Sequence, residues 1–74
     1  MINIVLVDDH ILVRDGIKAL LEEEEDIRVI AEASNGIEAL EELQTHRPNV
    51  LIVDIRMPDM SGIEVVKKIK KINN

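Results

Sequence analysis

The 74-residue sequence has no cysteine and no Phe, Tyr or Trp. Without cysteine, disulfides and thiolate metal sites are excluded, which fits a reducing cytoplasm. Without aromatic rings, the core must be filled by Ile, Leu, Val, Ala and Met, and it forgoes the large area that each ring buries. Long apolar runs are also missing: the longest, Ile4–Val7 and Val50–Val53, have four residues. A membrane-spanning helix needs about 20. The opening MINIVLVDDH has neither the basic start nor the small-residue cleavage site of a secretory leader. These absences point to a soluble chain with no membrane partner. Two prolines and three glycines leave no room for a long linker or low-complexity tract, so residues 1–74 read as one unit.

Basic residues are the next scarcity. Nine Lys and Arg against 15 Asp and Glu give a net charge of −6, which argues against direct nucleic-acid binding by this segment. The charge is patterned, with acids from Glu22 to Asp26 and bases at Lys67, Lys68, Lys70 and Lys71. Both groups read as solvated surface, and lysines near a helix C-terminus also suit its dipole. A chain of this size buries about 60% of its unfolded surface, so the core is a small one.

What is present alternates. NIVLVD (3–8) is a β-branched apolar strand ending in acid. Residues 11–24 are helical in pattern, with Val13, Ile17, Leu20, Leu21 and Glu24 on one face and Arg14, Asp15 and Lys18 elsewhere. IRVIAEA (27–33) is a second strand, followed by the turn Ser34-Asn35-Gly36, which supplies candidate N-caps. Residues 37–45 carry Ile37, Leu40 and Leu43 on one helical stripe. Pro48-Asn49 breaks the chain before a third strand, VLIVDI (50–55). Ser61-Gly62 opens a third helix whose inner face is Val65, Ile69 and Ile72. The order β-α-β-α-β-α predicts a parallel α/β sheet with right-handed crossovers. Such crossovers place the second and third helices on one face and the first on the other.

The acids then stand out. Asp8 and Asp9 end the first strand and Asp54 ends the third. In a parallel α/β sheet, ligands bind beyond the carboxyl ends of the strands, at the switch point of strand order. With the second strand outside the first, these three acids converge there. Crowded carboxylates repel, and a hard divalent cation removes the conflict. Mg²⁺ suits such a place because it takes one or two carboxylates, waters and phosphate oxygens. The carbonyl of Arg56 lies where it can add a ligand, and the start of the first helix adds positive potential. The chemistry this suggests is phosphoryl handling. Taken singly, the acids read as helix caps: Asp9 for the first helix, Asp59 or Ser61 for the third. His10 reads as a solvated residue at the top of the first helix, and His46 as a loop residue.

VLVDDH, ASNGIEAL (33–40) and VDIRMPDMSGIEV (53–65) resemble the receiver domain of bacterial response regulators. The resemblance is nearest to receivers that precede a helix-turn-helix DNA-binding domain. It implies a flavodoxin-like fold with strand order 2-1-3 in this stretch. It implies that Asp54 accepts a phosphoryl group from a histidine kinase, that Asp9, Asp54 and the Arg56 carbonyl ligate Mg²⁺, and that Asp8 assists. The module is then a phosphorylated switch and not an enzyme. A receiver has five βα units, of which this sequence carries three, the N-terminal part. The Ser/Thr and Lys of the family's later strands have no counterpart here, so phosphorylation of these 74 residues is expected to be slow or undetectable.

Two other functions fit parts of the pattern. A Mg²⁺-dependent phosphohydrolase also places Asp after an apolar strand, but commonly needs a second acid two residues on, where Arg56 stands. A self-associating half-domain would pair through the third strand, VLIVDI, which has no proline or lysine to discourage it. The expected product is a homodimer joined at that edge.

Overall fold

A computed structural model describes residues 1–72 of the chain. The elements are β1 (Ile2–Val7), α1 (Ile11–Leu21), β2 (Ile27–Ala33), α2 (Gly36–Thr45), β3 (Val50–Val53) and α3 (Gly62–Ile72). The three strands form one parallel sheet in the order β2-β1-β3. This is the α/β alternation and the 2-1-3 order that the apolar pattern predicts.

β1 is the central strand, and its composition explains why. Ile4, Val5, Leu6 and Val7 are all buried, as a continuous apolar run must be when both faces of a strand are covered. Val5 and Val7 join Ala33, Ala39 and Val65 in the core, with Leu40, Leu43, Leu51, Val53, Met60 and Ile69 packed around them. That core lies between the sheet and the pair α2 and α3, which pack on each other. α1 packs on β1 and β2 and contributes nothing to this cluster. Small and branched side chains do the filling. Each fully buried valine or leucine contributes about 1.5–3 kcal/mol relative to exposure.

Two strands are shorter or shifted from their apolar limits. β1 runs from Ile2 to Val7, leaving Asp8 just outside. β3 ends at Val53, and Ile55 is exposed. Both strands stop where a carboxylate follows, because Asp8 and Asp54 each turn a side-chain oxygen onto the backbone amide two residues on, at His10 and Arg56. A short polar side chain bonding its own backbone in this way favours a turn over a continued strand. β2 runs over the predicted residues but slips in register between the pairs Ile4–Val29 and Val5–Ala31, leaving Ile30 as the extra residue.

The helices deviate more. α1 stops at Leu21, not Glu24, and Glu22 to Asp26 form an exposed turn. Its inner side is also different: Val13 and Leu20 are exposed, and Leu12 is 83% exposed. The residues that turn inward are Arg14, Ile17, Lys18 and Leu21. Arg14 and Lys18 do so because Glu32 of β2 pairs with both, at 3.3 and 3.1 Å. In α2 the inward stripe is Gly36, Ala39, Leu40 and Leu43, and Ile37 is 57% exposed. The small residues Gly36 and Ala39 let the helix approach closely, and this turns Ile37 outward. In α3, Val65 and Ile69 face the core as predicted; the side chain of Ile72 lies outside the described residues. No helix among the described residues is long and apolar enough to cross a membrane.

Of the expected caps, two form and two do not. Asn35 caps α2 by accepting from the Glu38 amide at 2.8 Å, and Ser61 caps α3 by accepting from the Glu64 amide at 3.2 Å. Asp9 does not cap α1; His10 holds that position and offers no side-chain bond. Asp59 reaches α2 instead of α3.

Candidate functional site

Register brings the acids together. In the sheet Val7 lies beside both Ala33 and Val53, so the next residues, Asp8 and Asp54, leave the sheet at one level. The Asp8 amide donates to the Ala33 carbonyl and the Asp54 amide to the Val7 carbonyl, both at 3.0 Å. Beyond these bonds, one ligand atom from each of Asp8, Asp9, His10 and Asp54 lies within 4.8 Å of the others. Residues separated by 46 positions thus face one another across the carboxyl edge. The three acids that follow the strands, Asp8, Asp9 and Asp54, all lie there, and Arg56 stands in the exposed loop after Asp54, its amide donating to Asp54 Oδ1 at 3.2 Å.

Each carboxylate is held differently. Asp8 is 8% exposed, and its Oδ1 accepts from the His10 amide at 2.8 Å. Asp9 Oδ1 is shielded from solvent and accepts no hydrogen bond, although His10 Nδ1 lies at ion-pairing distance, 3.0 Å. A shielded, unpartnered carboxylate oxygen beside two more carboxylates is costly unless a cation completes it. The donor set is all hard oxygen with one imidazole at its rim, which suits Mg²⁺. The residues present therefore fit that ion.

Two residues matter here that their sequence context did not mark. His10 is 69% exposed on its side chain, yet its Nδ1 stands 3.0 Å from Asp9 and 3.4 Å from Asp8. Its place after two acids was the available signal. Arg14 lies beneath the cluster with its side chain 13% exposed. Its Nη1 donates to the Asp8 carbonyl at 2.8 Å and to the Ala33 carbonyl at 3.4 Å, tying the ends of β1 and β2. Its Nε, at ion-pair distance from Glu32, makes no hydrogen bond of its own. The spacing from His10 to Arg14, one helical turn, is a signal too weak to single it out.

The flanking loops are anchored by two further carboxylates. Glu38 accepts from the Ser34 amide and hydroxyl at 3.0 and 2.8 Å, and these bonds hold its carboxyl below the usual range. Asp59 accepts from the Gly36 and Ile37 amides, each at 2.9 Å, which lowers its carboxyl in the same way. Lys18 is raised by its bond to Glu32.

Comparison with known proteins agrees with this architecture. Residues 4–74 match the family model described as the response regulator receiver domain. The response regulator UvrY of Escherichia coli is 44% identical over 71 residues, covering 96% of this chain and 33% of UvrY. The transcriptional regulatory protein YdfI of Bacillus subtilis is 39% identical over 71 residues, with the same coverage. Among solved structures, the signal receiver domain of NarL from Mycobacterium tuberculosis superposes with a TM-score of 0.91 at 35% identity, covering 96% of this chain and 57% of that one. RcsB from Salmonella enterica bound to promoter rprA gives a TM-score of 0.88 at 32% identity, covering 99% of this chain and 38% of that one. The chain spans about one third of the length of the relatives it matches.

Proposed function

Because this chain belongs to the receiver domain family of two-component response regulators, we propose that Asp54 is its phosphoryl acceptor, served by Mg²⁺ at Asp8, Asp9, Asp54 and the Arg56 carbonyl. The observation that carries the proposal is the convergence of Asp8, Asp9 and Asp54 within 4.8 Å at one sheet edge, with an Asp9 oxygen left unpartnered. An Asp54 carboxylate oxygen attacks the donor phosphorus, the bond from phosphorus to the donor breaks, and the leaving group departs with the electron pair. The product is an acyl phosphate on Asp54. When bound, Mg²⁺ supplies positive charge that offsets the carboxylates and the phosphoryl oxygens. His10 sits at the rim of that site, and Arg14 holds the ends of β1 and β2 in register beneath it. A histidine kinase is the proposed donor and the cytoplasm the proposed location. DNA contact is left to a part of the protein other than this acidic segment.

The test is incubation with a small phosphodonor and Mg²⁺, followed by intact mass. One phosphoryl group is expected to accumulate slowly on the wild type and to be absent from Asp54→Asn. Undiminished labelling of Asp54→Asn would move the acceptor elsewhere.

The open edge of β3 supports a second proposal for the 74 residues themselves. β3 pairs with β1 alone among the described residues. Beside it runs an apolar groove of about 400 Å³ lined by Val53, Ile55, Ile63 and Val66, with Lys67 and Lys70 at its rim. Unpaired strand edges and apolar patches of this kind recruit a second chain. Two copies related by a two-fold axis join β3 to β3, antiparallel at the seam. Light scattering across micromolar to millimolar concentration is expected to show a dimer; a folded monomer throughout that range contradicts it.

A further inference from the structure

The β3–α3 loop is fastened at two points. At its root the Gly62 amide donates to the Ile55 carbonyl at 2.9 Å. At its far side the Asp59 carboxylate spans two consecutive amides of the first turn of α2, Gly36 and Ile37. Met60 lies directly against Gly36: a Cβ added there would meet Met60 Cγ and Sδ. The first turn of α2 is tied to the other side of the acid cluster. Glu38 holds the Ser34 amide, and the preceding Ala33 carbonyl receives the Asp8 amide and Arg14 Nη1. The bonds therefore close a ring around the carboxyl edge, from Asp8 through Ala33 and α2 to Asp59, and back along the loop to Arg56 and Asp54. Asp59 is exposed, so burial does not explain why it is there. Its two oxygens are both spent on α2, which is 22 to 23 residues away in sequence.

We propose that Asp59 is a positioning residue: the pair of hydrogen bonds it accepts from the first turn of α2 sets the β3–α3 loop, and with it the Arg56 carbonyl and Asp54, against Asp8 and Asp9. The inference rests on the functional reading above for its purpose and on geometry alone for its mechanism. Outer residues that orient metal ligands typically change affinity by about 10–100-fold when removed. Asp59 acts at greater remove, through a loop, so about tenfold is expected.

The test uses Asp59→Asn, Asp59→Ala and Asp59→Glu with amide NMR, first without metal and then under Mg²⁺ titration. Asn retains one acceptor oxygen in the same shape, so it opens one bond and leaves folding intact. Without metal, Ala is expected to lose exchange protection at both Gly36 and Ile37 and Asn at one of them, and both variants to shift the amides of residues 54–57. With Mg²⁺, Ala is expected to raise Kd about tenfold, Asn less, and Glu to recover part of the loss. Gly36→Ala, whose methyl displaces the flexible Met60 side chain, disturbs the same junction from the α2 side and should shift 54–57 likewise. If Asp59→Ala moves the first turn of α2 and lowers the melting temperature but leaves 54–57 and the Mg²⁺ Kd unchanged, Asp59 is a helix cap and the proposal is overturned. If the wild type shows no Mg²⁺ response, the metal reading fails, and the metal-free shifts at 54–57 alone decide the positioning role.

Discussion

Gly62→Ala is expected to destabilise the chain by about 3 kcal/mol, while Gly16→Ala stabilises it by about 0.5–1 kcal/mol. Both glycines lie in helices, so propensity alone predicts a gain at each site. Their surroundings differ. A Cβ on Gly16 meets nothing within 4 Å. A Cβ on Gly62 falls on the Asp54 backbone carbonyl, with the Asp54 carbonyl carbon and Ile55 Cα also at 3.0 and 3.1 Å. Backbone cannot rotate aside as a side-chain tip can, so the overlap outweighs propensity and the cost lies at the upper end of overpacking. For a domain of this size total stability is about 4–11 kcal/mol, and the loss is a large part of it. Because the obstructed atoms belong to the proposed acceptor, Asp54, the same variant should also disturb the amides of residues 54–57. Urea melts of the two variants side by side check the sign of each effect; equal shifts would show that the approach of α3 to Asp54 is not as tight as described.

Asp9→Asn is expected to have opposite effects in the absence and presence of metal. Without metal, the three carboxylates repel. At an effective dielectric of about 20, two unit charges about 5 Å apart cost about 3 kcal/mol, and partial exposure at this edge reduces that to about 1 kcal/mol. Removing one charge therefore raises the melting temperature in a chelator. With Mg²⁺, the wild type gains stability by mass action as the site fills. The variant has lost the Asp9 charge and carries an NH2 in place of one carboxylate oxygen, so it gains little, with Mg²⁺ Kd raised at least about tenfold. Thermal melts of both proteins with chelator and with Mg²⁺ give the comparison. An Asp9→Asn variant less stable in chelator would show that Asp9 serves the fold and not the site.

Some of this was legible in the residues and some was not, for reasons that can be named. β1 and the core position Val65 follow from local pattern, the apolar run of Ile4–Val7 and the helical stripe of α3, although the equally apolar run of β3 lies at the sheet edge with Val50 43% exposed. The convergence of Asp8, Asp9 and Asp54 is legible for a different reason. An acid directly after each of two apolar strands is a positional signal, and parallel topology converts position into proximity without further detail. Apolar spacing places Ile17 and Leu21 of α1 inward correctly but not Val13 and Leu20, because it assumes that every apolar residue turns inward. Here Glu32 on β2 draws Arg14 and Lys18 across the helix, and a charged partner 14 to 18 residues away leaves no periodic trace. The apolar pattern carries β3 on to Ile55, whereas the Asp54 side chain, accepting from the Arg56 amide, ends it at Val53. Local capping rules place Asp59 on the nearer helix, α3; its partners lie on α2, a contact set by tertiary packing that those rules do not contain.

The proposed phosphoacceptor role depends on Asp8, Asp9 and Asp54 forming a Mg²⁺ site on this chain. Titration with Mg²⁺ followed by amide NMR tests it most directly. A site with few protein ligands binds weakly, so saturable shifts are expected by about tens of millimolar, confined to residues 8–10 and 54–57. Amides of residues 8–10 and 54–57 that stay in place across that range, or shifts spread evenly over the acidic surface of Glu22 to Asp26, would contradict it.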